Sequence, residues 1–374
     1  MDWPILIIGF GVGYTLFFLV VSIGVLRSRK TRKSSYQPMV SVLVACRNEE
    51  KDLKRCVDSL LAQNYPENKL EIILIDDQSL DGTADIISGY KQENRIVRGL
   101  NTTDSPATHL EAKARAISFG ASKAKGDWLY IVDADARVHP DWLSHMFDGV
   151  DDQTGLIGGV IMTEESGYFS VSALEKVTLA YTQPITVGLA GWGLPAICSG
   201  PNMAIRKSTY DKYGGLESVK FNIAEDLALA SIVLNSGQKI RFHGSPETVA
   251  HLISVPTLGH LFSQQRRWIR GGFEQGWELW FVLAFVFSYH FLYSWILILG
   301  WLISVKATLV ALLLKFITDF IFILAEKRKL RIPRLLRFHP LMFLYSLFAF
   351  IWIPISLLFF NKVRWKGEGY EVKY

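Results

Sequence analysis

Residues 5–26 run for 22 positions without a charged side chain, close to the ~20 residues a helix needs to cross a ~30 Å hydrocarbon core. Asp2 is the sole charge before the run, whereas Arg27, Arg29, Lys30, Arg32 and Lys33 crowd the seven residues after it. A cleaved secretory leader has its cations in front and a small-residue cleavage site behind, so this pattern predicts a retained transmembrane anchor. The positive-inside rule then puts the following segment in the cytoplasm. A buried helix of a soluble protein would not end in five cations.

The C-terminal third repeats the signal at 277–303, 304–325 and 341–360, with Lys306, Lys315 and Asp319 weakening the middle run. Lys327, Arg328, Lys329, Arg331, Arg334 and Arg337 fill 326–337, which is therefore expected to be a cytoplasmic loop. A fourth full crossing leaves 361–374, with Lys362, Arg364 and Lys366, on the outside against the same rule. The stretch interrupted by Pro354 is alternatively re-entrant or interfacial. Half of the chain is hydrophobic and a fifth is charged, which fits neither a disordered nor an ordinary soluble protein. The net charge of +5 is too mild to suggest a nucleic-acid partner. Cys46, Cys56 and Cys198 form no CxxC or Cys/His pattern, which argues against a disulfide framework or a zinc site and for a reducing compartment.

Between the hydrophobic ends the apolar runs shorten. Residues 40–45, 72–75 and 128–132 each have the length and continuity of a strand buried on both faces of a parallel sheet. Leu53, Cys56, Val57, Leu60 and Leu61 recur at helical spacing between the first two, with Asn48 placed to cap and Glu49 and Glu50 in the first turn. Further helices are expected from Asp81 through Tyr90 and from Glu111 to a stop at Gly126. The domain reads as a doubly wound α/β fold, whose ligands bind beyond the carboxyl ends of the strands. Polar residues gather there: Arg47, Asn48 and Glu49 after the first strand, Asp76 and Asp77 after the second, Asp133 and Asp135 after the third. No dinucleotide or P-loop glycine pattern follows any of them. Asp133 and Asp135 supply the hard oxygen donors that suit Mg²⁺ or Mn²⁺ beside a diphosphate.

The ordered blocks VSVLVACRNEE, EIILIDDQSLDGT, AKARA, YIVDADA, SGPNMAIRK, EDLALA and QQRRW resemble the membrane-anchored family 2 glycosyltransferases, which invert the anomeric centre on a GT-A fold. The resemblance covers residues 40–268. It implies a Rossmann-like, mostly parallel sheet, with Arg47, Asn48, Glu49, Asp76, Asp77, Lys113 and Asp133 around the nucleotide-sugar and Asp133 with Asp135 at the metal. It also implies Glu225 and Asp226 as the acidic catalytic pair, Asp226 being the base, and Gln264, Arg267 and Trp268 on the acceptor side. The chain departs from the pattern at Ala224 and Ala228, where Thr and an acid are common, and at Gln78 and Ala112, where Gly is usual.

The chemistry supports these roles independently of the resemblance. A departing nucleoside diphosphate develops negative charge that a metal and nearby cations neutralise, and a single inverting displacement needs one carboxylate to take the acceptor proton. The blander readings are an acidic helix start for Glu225-Asp226 and membrane-anchoring cations for Arg266, Arg267 and Arg270, with Trp268 and Trp277 in an interfacial belt. Residues 255–272 are amphipathic and are expected to lie along the membrane, suiting a lipid-embedded acceptor.

The expected organisation is an anchor and basic flank over 1–33, a cytoplasmic GT-A domain over 34–254, an interfacial segment over 255–276 and a transmembrane region with tail over 277–374. The expected activity is transfer from a UDP-type nucleotide-sugar donor to a lipid-linked or growing glycan acceptor, by a multi-pass protein of a bacterial inner membrane. Rival readings are a processive polysaccharide synthase, a polyprenyl-phosphate sugar synthase and an inactive scaffold. His243, His251 and His260 are expected to be structural, the Asn101 sequon unused, and the aromatics up to Trp192 either an acceptor platform or lipid-facing.

Overall fold

The computed structural model describes residues 2–27, 35–164, 167–194, 199–219, 225–273, 277–332, 334–359, 362–365 and 368–371, with side chains described at all of these except 270–287, 357–358, 362–365 and 368–371. Arg29, Lys30, Arg32 and Lys33 of the basic flank, Cys198, Ala224 and Lys366 lie outside the described residues, as do the side chains of Arg270 and Trp277. The chain divides into two compact units, one of residues 30–164 with 196–253 and the other of residues 1–29, 165–195 and 254–374. The α/β span expected over 34–254 is thus interrupted, because residues 165–195 belong with the apolar helices.

Among the described residues, the α/β unit has nine strands: β1 (Val40–Cys46), β2 (Leu70–Asp76), β3 (Val97–Asn101), β4 (Trp128–Asp133), β5 (Thr154–Gly159), β6 (Ile161–Thr163), β7 (Asn202–Arg206), β8 (Lys239–His243) and β9 (Ala250–Leu252). Seven of them form one sheet in the order β3-β2-β1-β4-β7-β5-β8. β3, β2, β1 and β4 run parallel, while β7 enters antiparallel to both β4 and β5. β5 and β8 are parallel, and β6 pairs with β9 apart from the main sheet. Every residue of β2 is buried, which is why its apolar run is continuous rather than alternating. The helix Ala112–Lys123 packs on β1 and β2, closing a core that includes Leu43, Ile73, Ile117, Ile131, Ile205 and Leu229. Elsewhere Trp142 meets Tyr130 edge to face at 4.9 Å and donates to Asn202 Oδ1 at 3.0 Å. Asn202 in turn donates to the carbonyls of Val160 and Thr248, each at 2.8 Å, so this buried amide is satisfied on both sides.

The first helix of the α/β unit starts later than its sequence suggests. It spans Leu53–Leu61 with Asp52 at its N-cap, and Asn48 instead has φ +54°. That left-handed turn aims the Asn48 side chain at the backbone N–H of Leu80, which it accepts at 2.8 Å. Asn is among the few residues that take this conformation cheaply. The other two helices span Thr83–Glu93 and Ala112–Lys123, the latter ending three residues before Gly126.

The second unit contains three helices long and apolar enough to cross a membrane among the described residues, Trp3–Arg27, Val305–Leu330 and Leu335–Ser356. A further helix covers Trp277–Leu299, matching one of the three expected C-terminal runs, although its side chains up to 287 lie outside the described set. Lys327, Arg328 and Lys329 form the last turn of Val305–Leu330 rather than a loop, where cations complement the carboxyl end of a helix dipole. Helix Val171–Gly191 joins this unit through close backbone approach. A Cβ on Gly24 would lie 2.2 Å from the Gly188 carbonyl oxygen, and one on Gly191 would lie 2.0 Å from that of Gly24. Trp192 caps this crossing by donating to the Val20 carbonyl at 2.9 Å, with the Arg27 guanidinium 4.3 Å above its ring. Trp192 is thereby tied to helix Trp3–Arg27.

Lys315 and Asp319, which weaken the apolar run in the sequence, face each other one turn apart at 2.6 Å and are buried. Tyr14 donates to Asp319 at 2.5 Å and meets Tyr181 Oη at 2.7 Å, and Lys315 also donates to Ser346 Oγ at 2.9 Å. Buried charges persist when paired and hydrogen-bonded in this way.

Candidate active site

The carboxyl ends of β1, β2 and β4 carry the acidic and basic residues singled out in the sequence. Asp76 ends β2 and accepts from the Ser79 N–H at 3.1 Å and from Asn101 Nδ2 at 3.2 Å. Asp77 is 1% exposed; it accepts from Thr102 Oγ1 at 2.9 Å and from the Arg115 guanidinium at 2.6 Å. Arg47 approaches its other oxygen at 3.6 Å. A carboxylate so deeply buried requires this degree of compensation. Arg115 and Thr102 are site residues that sequence reading missed. Arg115 lies within the AKARA block, two residues past Lys113, but nothing in its type announces Asp77 as its partner. The Glu49 N–H donates to Thr83 Oγ1 at 2.8 Å, tying the loop after β1 to the helix after β2.

Lys113 links the remaining groups. Its Nζ lies 2.7 Å from Asp133 Oδ1 and 2.5 Å from Glu225 Oε1. Burial alone would lower its pKa, but the two carboxylates outweigh burial and push it up, so the ammonium stays charged. Asp226, beside Glu225 at the start of helix Glu225–Asn235, accepts from the Gly200 N–H at 2.9 Å and from the Leu227 N–H at 2.9 Å. Burial, followed by the negative charge of Glu225, pushes its carboxyl up to about 6. That places it within reach of the pKa expected of a general base working near neutral pH. A Cβ on Gly200 would sit 2.8 Å from Glu225 Oε1 and 3.2 Å from Lys113 Nζ, so a side chain here would crowd the bridge.

Asp133 and Asp135 leave the end of β4 as a pair of partly exposed carboxylates. The Asp135 carbonyl accepts from Arg55, which also pairs with Glu164 at 2.8 Å. No group of three His, Cys, Asp or Glu side chains able to hold a metal occurs among the described residues. The carboxylate oxygens of Asp133 and Asp135 are donors of the hard type that a divalent ion such as Mg²⁺ takes.

Gln264, Arg267 and Trp268 lie on helix Leu258–Phe273, in the other unit. Gln264 Oε1 is buried without a hydrogen-bond partner among the described residues. Burial pushes His243 down to about 3, and His260 pairs with Thr257 at 2.7 Å.

Residues 4–374 match the family profile described as Glycosyl transferase family 21. The chain belongs to glycosyl transferase family 21. Its family 21 sequence is 27% identical over 237 residues to a probable glycosyltransferase of Bacillus subtilis, covering 63% of this chain and 55% of that protein. It is also 27% identical over 239 residues to a poly-beta-1,6-N-acetyl-D-glucosamine synthase of Staphylococcus aureus, with the same coverage. The chain therefore spans about half the length of these curated relatives. Among solved structures, a mannosyltransferase from Pyrobaculum calidifontis in complex with GDP-Man and Mn2+ superposes with a TM-score of 0.55 at 16% identity, over 92% of this chain and 99% of that one. This family 21 chain thus has the GT-A glycosyltransferase fold expected from its motif order.

Proposed function

We propose that this chain is an inverting glycosyltransferase that moves a sugar from a nucleotide-diphosphate donor, of UDP type, to a hydroxyl of a lipid-linked or growing glycan acceptor at the cytoplasmic membrane face. The observation that carries the reading is the Asp133–Lys113–Glu225 bridge beside Asp226. It joins the donor-side carboxylate pair to the acidic pair in one cluster.

In this reading Asp226 takes the proton of the acceptor hydroxyl as its oxygen bonds to the anomeric carbon and the bond from that carbon to the diphosphate oxygen breaks. The electron pair departs with the nucleoside diphosphate, and attack from the opposite face inverts the centre. Lys113 holds a positive charge close to the departing group, while Arg47 and Arg115 fix Asp77 for the nucleotide. A Mg²⁺ or Mn²⁺ ion held by Asp133 and Asp135 would supply further charge neutralisation on the diphosphate. A phosphate acceptor, already ionised, would leave Asp226 no proton to take, which favours a hydroxyl.

The similarity to the Staphylococcus aureus synthase supports a second reading, processive polymer synthesis by the same chemistry. The test is to give the purified protein a panel of nucleotide sugars with Mg²⁺ or Mn²⁺ and native lipid extract, then measure nucleotide release and product mass. A single-sugar product supports one transfer per acceptor, a ladder supports processivity, and no release with any donor refutes both.

A further inference from the structure

In the second unit, a set of buried polar contacts surrounds the helix that carries Gln264, Arg267 and Trp268. Gln265, the neighbour of the motif residue, is 3% exposed. Its Nε2 donates to Thr178 Oγ1 at 2.9 Å and meets Tyr345 Oη at 2.8 Å, while Tyr345 Oη lies 3.1 Å from Gln265 Oε1. Thr178 spends its own proton on the Leu174 carbonyl at 2.8 Å, which leaves its oxygen to accept from Gln265. One turn earlier on the same helix, Val171–Gly191, Glu175 is 2% exposed. Glu175 accepts from Ser254 Oγ at 2.6 Å and from the Val255 N–H at 2.9 Å. Glu175 and Thr178 are three residues apart and so share one helix face.

We propose that Gln265 and Glu175 are positioning residues that set the direction in which Gln264, Arg267 and Trp268 point. Successive residues on an α-helix are separated by about 100°. Relative to Gln265, Gln264 then lies about 100° to one side, and Trp268 and Arg267 lie about 60° and 160° to that same side. The three motif side chains therefore occupy one arc of roughly 100°, and anchoring Gln265 inward fixes where that arc faces. Glu175 fixes the start of the segment, two residues after β9 ends. Both hooks are buried, so breaking one leaves unpaired polar groups rather than solvated ones. The inference rests on the proposed function and on the acceptor-side role that the family resemblance implies for the motif.

The test compares Gln265→Leu, Glu175→Leu and Glu175→Gln in the full-length, detergent-solubilised protein. Transfer to native lipid extract and hydrolysis of the same nucleotide sugar to water are measured side by side, together with nucleotide binding. Gln265→Leu and Glu175→Leu are expected to lower the transfer-to-hydrolysis ratio at least tenfold, with nucleotide binding changed less than twofold. Glu175→Gln, which keeps an accepting oxygen for Ser254 and Val255, is expected to retain the wild-type ratio. Should Gln265→Leu fail to fold, Tyr345→Phe removes one hydroxyl from the same hook and is expected to lower the ratio in the same direction. A wild-type ratio in folded Gln265→Leu, or in Tyr345→Phe where that variant is the one measured, overturns the inference. So does a parallel loss of hydrolysis and nucleotide binding. Absence of nucleotide release from the wild-type protein instead strikes the proposed function, so the two failures are distinguishable.

Discussion

The backbone N–H of Gly200 donates to Asp226 Oδ2 at 2.9 Å, so the segment leading into β7 orients the proposed base. Asp226 also bonds its own helix through the Leu227 N–H, leaving one arrangement of the carboxylate. Asp226→Asn keeps the shape but cannot accept a proton. Transfer is expected to fall roughly 100- to 10,000-fold, with nucleotide affinity held within about twofold, as read by initial rates and by equilibrium titration of the nucleotide.

Gly200→Ala places a methyl against Glu225 Oε1 and Lys113 Nζ. Those atoms end flexible side chains, but each is committed to the bridge, so relief comes at the bridge's expense. The variant is expected to fold and to lose about tenfold or more in kcat, of the order that a displaced reacting group costs.

With its carboxyl pushed up to about 6, Asp226 is protonated in more acidic solution and cannot serve as the base. The rate is expected to rise about tenfold per pH unit up to that point and to level off above it. Removing the Glu225 charge by Glu225→Gln lowers the Asp226 pKa, so the acid limb should move to lower pH in the pH–rate profile. The same elevation makes folding release less stability as pH climbs from the ordinary carboxyl value of 3.8 through about 6, because the native state holds the proton longer than the unfolded one.

Gln78 and Ala112 occupy left-handed backbone at φ +60° and +48°. They are the positions where the resembled family pattern usually has glycine. An L-residue there costs ~1–2 kcal/mol, partly offset by the lower unfolded-state entropy of a non-glycine residue. Gln78→Gly and Ala112→Gly are each expected to stabilise the protein by about 0.5–1 kcal/mol, seen as a rise in Tm in detergent.

Lys315→Met strands Asp319 in a buried setting, and breaking such a pair from one side costs about 3–5 kcal/mol. Lys315→Met/Asp319→Leu removes both charges and is expected to recover most of the loss. Thermal unfolding of the two variants side by side checks this; equal destabilisation of single and double variants would show that the ion pair is not the source.

The strands β1, β2 and β4 were legible because strands buried on both faces read as unbroken apolar runs. Residues at their carboxyl ends were legible because that edge of a parallel sheet is where ligands bind. Asn48 was misread as a helix cap because its side chain serves a residue 32 positions away, a contact with no local pattern. Arg115 was overlooked for the same reason, its partner Asp77 lying 38 positions earlier.

Local composition alone determined the apolar helices, the α/β class and the order of the motif blocks, since hydropathy and periodicity are properties of neighbouring residues. Tertiary structure decided what depends on contacts between distant segments. It assigned residues 165–195 to the apolar unit through Gly24, Gly188 and Gly191, and it inserted β7 antiparallel between β4 and β5. It also joined Asp133 to Glu225 through Lys113, because the match of charge and space that holds them exists only once the sheet has brought the three segments together.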